Sequence, residues 1–264
     1  MDKIVIDNSF SSDIINVDRD SYLVINNDVQ TNKIELNILN CKVTIVDMSK
    51  IANKVVNFIE SEGNVVEIAN DNVDKTLKIS NTNSNIEYNI IDLLDNDVKY
   101  LVNEEIVSRG SSTSINIASV SYKSKNKDYK INTSNLCEGS NNEISCFGIV
   151  KDDSVLNYDV SSFIKNGAKK SVVRQNSNIL LFDKESVGKN NPVLIIEEND
   201  VKASHGSSIG KVDDDTMFYL CSRGLSKSEA TNLICLGKME YIINKIDDKD
   251  IKESLVSKFK ERMS

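Results

Sequence analysis

The chain has 264 residues, enough to bury a sizeable core either as one strand-rich domain with a helical appendage or as two domains. Its 32 Lys and Arg stand against 40 Asp and Glu, and the net charge of -8 argues against a nucleic-acid or anionic-membrane surface. No stretch approaches the apolar length that a bilayer span needs and the opening residues MDKIVIDNSF lack a signal-peptide core, so the sequence reads as soluble and cytoplasmic.

From Lys3 to about Pro192 the dominant signal is short runs of period two, which alternate inside and outside on a sheet. They include Ile34, Leu36, Ile38; Val43, Ile45; Leu77, Ile79; Ile86, Tyr88, Ile90; Ile115, Ile117; and Leu156, Tyr158, Val160. Turn chemistry is expected at Asn26-Asn27-Asp28, Glu62-Gly63-Asn64 and Asn81-Thr82-Asn83, where left-handed or locally hydrogen-bonded backbone is tolerated. Residues 52–60 and 93–107 fit a helix or a strand equally. A sandwich and a coil of short stacked strands both satisfy this pattern, and Asn-rich corners with β-branched interiors favour the coil slightly. No strict repeat period is present.

Pro192, the only proline, suits the opening of a strand, and Val193 to Ile196 form a continuous apolar run of the kind buried on both faces of a sheet. A polar loop carrying His205, the only histidine, is expected next. Asp213, Asp214 and Asp215 then supply a helix start, Met217, Leu220 and Cys221 follow at helical spacing, and Arg223 with Gly224 gives the stop. Ser226 and Glu229 form a capping-box pair that opens a second helix through Ala230, Leu233, Ile234 and Gly237. Met239, Ile242, Ile243 and Ile246 continue the helical stripe. Asp247 to Asp250 punctuate it, and Ile251, Leu255 and Phe259 mark a final amphipathic helix.

The segment from Asp200 to Gly210, DVKASHGSSIG, followed by an acidic turn and Phe218 to Leu225, FYLCSRGL, resembles the C-terminal core of the SufB/SufD family of iron-sulfur cluster assembly proteins. Upstream, Arg174 to Leu181, RQNSNILL, is similar to the family's Q-x-N-x-NLLL segment, with Asn176 and Asn178 in place and Arg174 where the family has Gln. The resemblance is firm from about residue 160 to 245 and architectural before that. It implies a mainly β fold, a right-handed parallel β-helix core over residues 1–210, and a C-terminal α-helical subdomain over 211–264.

It also implies a role. The corresponding histidine of SufB/SufD proteins lies at their subunit interface and is implicated in cluster assembly, so His205 becomes the candidate iron or cluster ligand; a neutral imidazole suits iron, and small neighbours Ser204 and Gly206 leave room for approach. SufB-type members carry a Cys after a Gln in the upstream segment and glutamates beside the histidine. Here those places hold Asn176, Ser204 and Gly206, so the chain looks SufD-like, a short form without the main cluster-building thiolate. The helical hairpin resembles the docking surface for the SufC ATPase, with Phe218, Tyr219, Ser222, Arg223 and Leu225 as its contacts. The implied partners are a SufC-type ATPase and either a SufB-type subunit or a second identical chain, with a transient iron-sulfur cluster as cargo and none held by this chain alone.

Five cysteines, an odd number spread along the chain, suit a reducing compartment better than a disulfide framework. Cys137 and Cys146, separated by the polar EGSNNEIS, are thiolate candidates for neighbouring coils, although isolated cysteines are commonly small core hydrophobes. Cys221 and Cys235 fall on helical stripes and read as packing residues. The sequence has neither a G-x-x-x-x-G-K-[ST] phosphate loop nor a G-x-S-x-G elbow, so it reads as a scaffold without enzymatic activity whose ATP hydrolysis belongs to a partner. A β-helix enzyme acting on carbohydrate and a purely structural interaction module remain the other readings.

Overall fold

In the computed structural model the described residues are 1–10, 12–70, 74–246 and 248–263. Seventeen strands occupy these residues up to Gly210. The first nine are β1 (Asp2–Ile6), β2 (Ile14–Val17), β3 (Ser21–Ile25), β4 (Lys33–Leu39), β5 (Lys42–Asp47), β6 (Asn53–Ile59), β7 (Glu62–Ile68), β8 (Asp74–Thr82) and β9 (Asn85–Asp92). The rest are β10 (Val98–Ile106), β11 (Ser112–Ser121), β12 (Asn126–Asn135), β13 (Asn141–Val150), β14 (Val155–Ile164), β15 (Val172–Leu181), β16 (Val187–Ile196) and β17 (Lys202–Gly210). Three helices follow, α1 (Asp214–Ser222), α2 (Lys227–Ile243) and α3 (Lys249–Met263). Asp247, expected as helix punctuation, lies outside the described residues; Asp248 caps α3 by accepting from the backbone N–H groups of Asp250 and Ile251.

Odd-numbered strands form one nine-stranded sheet and even-numbered strands one eight-stranded sheet, each in sequence order and with every pairing parallel. The chain therefore winds as a coil, laying one strand into each sheet per turn, and the fold is a parallel β-helix followed by C-terminal helices. The period-two residues named from the sequence, from Ile34 to Val160, all point inward and are buried. Each such Ile, Leu or Val contributes about 1.5–3 kcal/mol of burial free energy. Tyr100, Tyr129 and Tyr158 stack along the bore with ring centroids 6.3 and 5.4 Å apart.

The corners are built from residues that accept positive φ. Asn40, Glu60 and Asn83 have φ of 50°, 51° and 51° on successive turns. Asn26-Asn27-Asp28 forms the expected turn, whereas Glu62, Gly63 and Asn64 open β7. Gly63 is needed there for space and not for a turn: a Cβ would lie 2.3 Å from Cε1 of Phe58 on the preceding strand. Residues 52–60 hold β6, and residues 93–107 hold a short corner and β10.

Two readings of β16 need correction. Pro192 does not open the strand but is its sixth residue, in register with Val160. It is tolerated because β16 is the edge of its sheet. For the same reason Val193 to Ile196 are not buried on both faces. Val193 and Leu194 are half-buried, and Ile195 and Ile196 are 49% and 43% exposed.

Helices α2 and α3 lie on the outer face of the nine-stranded sheet. Cys235, Met239, Ile242, Ile243, Leu255 and Phe259 bury there against Val46, Val66, Ala118, Val120 and Ile149. Polar contacts fix the seat: Lys245 pairs with Glu87 at 3.0 Å, and Arg262 donates to the Leu93 carbonyl at 3.2 Å. Helix α1 differs. None of its residues is buried, and its Met217, Leu220 and Cys221 stripe is only half-covered, against α2.

Candidate functional site

The coil ends at β16 and β17, and among the described residues no further coil lies over them. His205 sits in the middle of β17 and so belongs to a strand, not to the loop that its Gly and Ser neighbours suggested. Register places it at the head of an inward column: Tyr88 pairs with Ile115, Ile115 with Ile144, Ile144 with Gln175, and Gln175 with His205. The first four are buried, while His205 is exposed at the mouth of the bore. Gln175 lies directly beneath, its Nε2 donating to Ser162 Oγ at 2.8 Å and to the Val193 carbonyl at 3.1 Å.

Apolar side chains surround this mouth. Ile209 on β17 and Ile196 on β16, each 43% exposed, stand in register with the buried inward residues Ile179 and Ile164, while Ile195, in register with Phe163, lies on the outer face. Ser204 and Gly206 leave the flanks of His205 open, and a Cβ on Gly206 would meet only Asn176 Oδ1 at 3.7 Å. Two unpaired strand edges with exposed branched side chains form a surface suited to a partner chain. Sequence reasoning found His205 and missed this apolar rim. Its signal was a run of four branched residues immediately after a proline, which marks an edge.

The hairpin is tied to this end. Only Lys211, Val212 and Asp213 separate β17 from α1. Asp213 caps α1 by accepting from the Thr216 backbone N–H at 2.8 Å, and Gly224 takes φ of 96° to let the chain turn. The capping box at α2 forms as expected: Glu229 N–H donates to Ser226 Oγ at 3.2 Å, and Ser226 N–H donates to Glu229 Oε2 at 2.8 Å. Phe218 and Tyr219 are 76% and 56% exposed, Ser222 and Arg223 are exposed, and Leu225 is half-buried. Arg223 lies 5.4 Å from the Tyr219 ring centroid, and Ser222 Oγ donates to the Tyr219 carbonyl at 2.7 Å, so the outward face is ordered without being covered.

All five cysteines are free thiols. Cys137 lies in the corner between β12 and β13, where its Sγ donates to the Val107 carbonyl at 3.1 Å. Cys146 is on β13 and faces the bore, and burial pushes its thiol up to about 12. The two therefore occupy one turn of the coil, one at its corner and one inside. Cys41 is buried near the N-terminal end, Cys235 is on the buried face of α2 against the sheet with its thiol pushed by burial up to about 12, and Cys221 is half-buried. Among the described residues no cluster of three or more His, Cys, Asp or Glu is arranged to hold a metal ion, and no helix is long and apolar enough to cross a membrane.

Residues 5–238 match the model of the SufBD core domain of the SUF system for FeS cluster assembly. The chain is 36% identical over 110 residues to the iron-sulfur cluster assembly protein SufD of Bacillus subtilis, covering 42% of this chain and 25% of that protein. It is 31% identical over 87 residues to SufD of Escherichia coli, 33% of this chain and 21% of that one. With SufB of Bacillus subtilis it shares 27% identity over 135 residues, half of this chain and 28% of the relative. The matched stretches thus span about a quarter of each curated relative. With the match to the core domain covering nearly all of the coil and the hairpin, the chain belongs to the SufBD family of the SUF iron-sulfur cluster assembly system.

Proposed function

We propose that this chain is a non-enzymatic scaffold component of a SUF-type complex, pairing through its uncovered last coil and docking an ATPase through its helical hairpin. The observation that carries the reading is the mouth of the bore. An exposed imidazole stands at the head of an otherwise buried column, between two unpaired strand edges rimmed by Ile196 and Ile209. A second SufB/SufD-type chain, or a second copy of this one, laid against those edges would cover the isoleucines and enclose His205 in the seam. Burying that rim supplies affinity, and the imidazole supplies a ligand for iron or a nascent cluster as cargo.

Division of labour follows from the connections. In this reading residues 1–210 are the scaffold and 211–264 the docking subdomain. A SufC-type ATPase would engage Phe218, Tyr219, Ser222, Arg223 and Leu225, the aromatic and cationic residues being of the kind that dominate interface energetics. Because three residues join α1 to β17, movement of the ATPase would pull on the strand that carries His205. The test is co-purification with a SufC-type ATPase and a SufB-type chain, followed by mass measurement of the complex and assay of cluster yield. Phe218→Ala with Tyr219→Ala should release the ATPase and leave the scaffold pair intact. His205→Ala should keep both contacts and lower cluster yield; an unchanged yield refutes the role given to the imidazole.

A further inference from the structure

Four carboxylates are buried along the bore among the described residues, and three of them are matched by lysines. Lys54 reaches Asp47 at 2.5 Å and Glu67 at 3.2 Å, Lys75 reaches Glu67 at 3.1 Å, and Lys127 reaches Asp92 at 2.7 Å. Tyr88 and Tyr100 add hydroxyl donors to Glu67 at 2.8 and 2.7 Å. Burial alone would raise the Glu67 carboxyl, but Lys54, Lys75 and these hydroxyls outweigh it and hold the group well below the usual carboxylate range.

Glu104 on β10 is the fourth, 1% exposed, and among the described residues no basic group pairs with it. Asn142 Nδ2 donates to Glu104 Oε2 at 3.0 Å and to Asn135 Oδ1 at 3.0 Å. Glu104 Oε1 and Asn142 Oδ1 are both buried without a hydrogen-bond partner. An ionised carboxylate and an amide oxygen only accept, so neither can satisfy the other. Two orphaned acceptors on side chains that already touch are costly to keep buried, and a single proton placed between them removes both costs.

We propose that Glu104 is a proton-binding site: a neutral carboxylic acid whose Oε1–H donates to Asn142 Oδ1, closing a two-bond acid–amide ring, and whose deprotonation leaves an uncompensated charge in the bore. Burial is the largest influence and raises the group to about 7, against hydrogen bonds from Thr113 and Asn142 that pull it down. Among the described residues the surrounding strands offer no uncommitted counter-charge inside the bore, and Lys78, Lys99 and Lys130 on β8, β10 and β12 are exposed on the outer face. Lys75 on β8 and Tyr88 on β9 are committed to Glu67, as is Tyr100 on Glu104's own strand. Lys127 and Tyr129 on β12 are committed to Asp92. Glu105 lies on the outer face and adds only like charge, as does exposed Glu143 on β13; β11 contributes the hydroxyl of Thr113.

The site is not isolated from the end of the coil. Thr133 is in register with Glu104, and its hydroxyl donates to Ser162 Oγ at 2.8 Å. Ser162 in turn accepts from Gln175, which also holds the Val193 carbonyl of edge strand β16. A charge at Glu104 therefore acts on a polar column that ends under the mouth of the bore. The protonation claim stands without the scaffold reading above and can fail separately from it.

Because the folded-state group lies above its ordinary value of 4.5, the stability it confers is fully present below pH 4.5, declines as pH rises, and is gone above about 7. Glu104→Gln keeps the shape and supplies an N–H in place of the O–H. In chemical unfolding across that window, the wild-type unfolding constant should rise relative to that of Glu104→Gln by about tenfold per pH unit. Parallel pH profiles for the two proteins overturn the proposal. Infrared spectra of the wild-type chain supply the direct measurement. A protonated-carboxyl carbonyl band present below pH 7, bleached above it and missing in Glu104→Gln supports the site. Absence of that band overturns it, as does stabilisation of the wild type by sodium or potassium over a bulky organic cation at equal ionic strength, which would assign the space to a metal cation.

Discussion

The column from Tyr88 to His205 passes through four covered turns of the coil and one uncovered turn, with the same register and strand direction throughout. Tyr88, Ile115, Ile144 and Gln175 are at most 3% exposed, whereas His205 faces solvent. Backbone geometry is shared, so the contrast arises from what lies on the next coil. Inside the stack an inward position is committed to packing or to hydrogen bonds with its neighbours in the bore. On the last turn the same position is free to meet another molecule.

The strongest way to break the covered part is to orphan one of its charges. Lys127 is buried on β12, where burial lowers its ammonium and Asp92 at 2.7 Å partly restores it. Lys127→Ala leaves Asp92 buried without its cation and should cost about 3–5 kcal/mol, read as a lower midpoint in urea unfolding. Adding Asp92→Asn should recover a large part of that loss. A single mutant as stable as wild type would show the bore to be wet enough to solvate the carboxylate.

Those same buried charges explain what could be read from the sequence and what could not. The clean alternation of Ile34, Leu36 and Ile38 or of Leu156, Tyr158 and Val160 gave strands with the right inward residues. Residues 52–60 were ambiguous because their inward set is Lys54, Val56 and Phe58, and a lysine at the first inward place disguises the period. Residues 93–107 failed likewise, since Val98, Tyr100 and Val102 lead inward to Glu104 and then Ile106. No repeat period could be found because the turn length drifts. Val43 pairs with Gly63, whereas Asn141 pairs with Val172, so one turn grows from 20 to 31 residues. Motifs near His205 identified the end of the coil but not its exposure, which depends on the absence of a covering turn and has no signature in the residues themselves.

The helical handle offers a milder test, because its order rests on local caps more than on burial. Ser226 and Glu229 satisfy each other's backbone donors at the start of α2, while the first turn of that helix is exposed. Ser226→Ala should therefore cost about 1 kcal/mol, and hydrogen exchange should report the loss as faster opening of α1 and the first turn of α2. Protection in β9 and β11, against which the far half of α2 packs, should be unchanged. Opening that spread into those strands would mean that handle and coil unfold as one unit.

At the uncovered end the smallest effect on stability is expected. His205 makes no ion pair with a described residue, its strand is an edge, and its neighbours Ser204 and Gly206 are exposed. His205→Ala should shift the isolated chain's unfolding free energy by no more than about 0.5 kcal/mol. Truncating Ile144, two places down the same column, removes buried methyl groups and belongs to a range of about 2–5 kcal/mol. If His205→Ala instead destabilised the isolated chain by an amount in the Ile144 range, the imidazole would already be packed within one subunit. Its place at a seam would then be lost, because a side chain whose contacts are satisfied at home has nothing left to offer a partner or a metal.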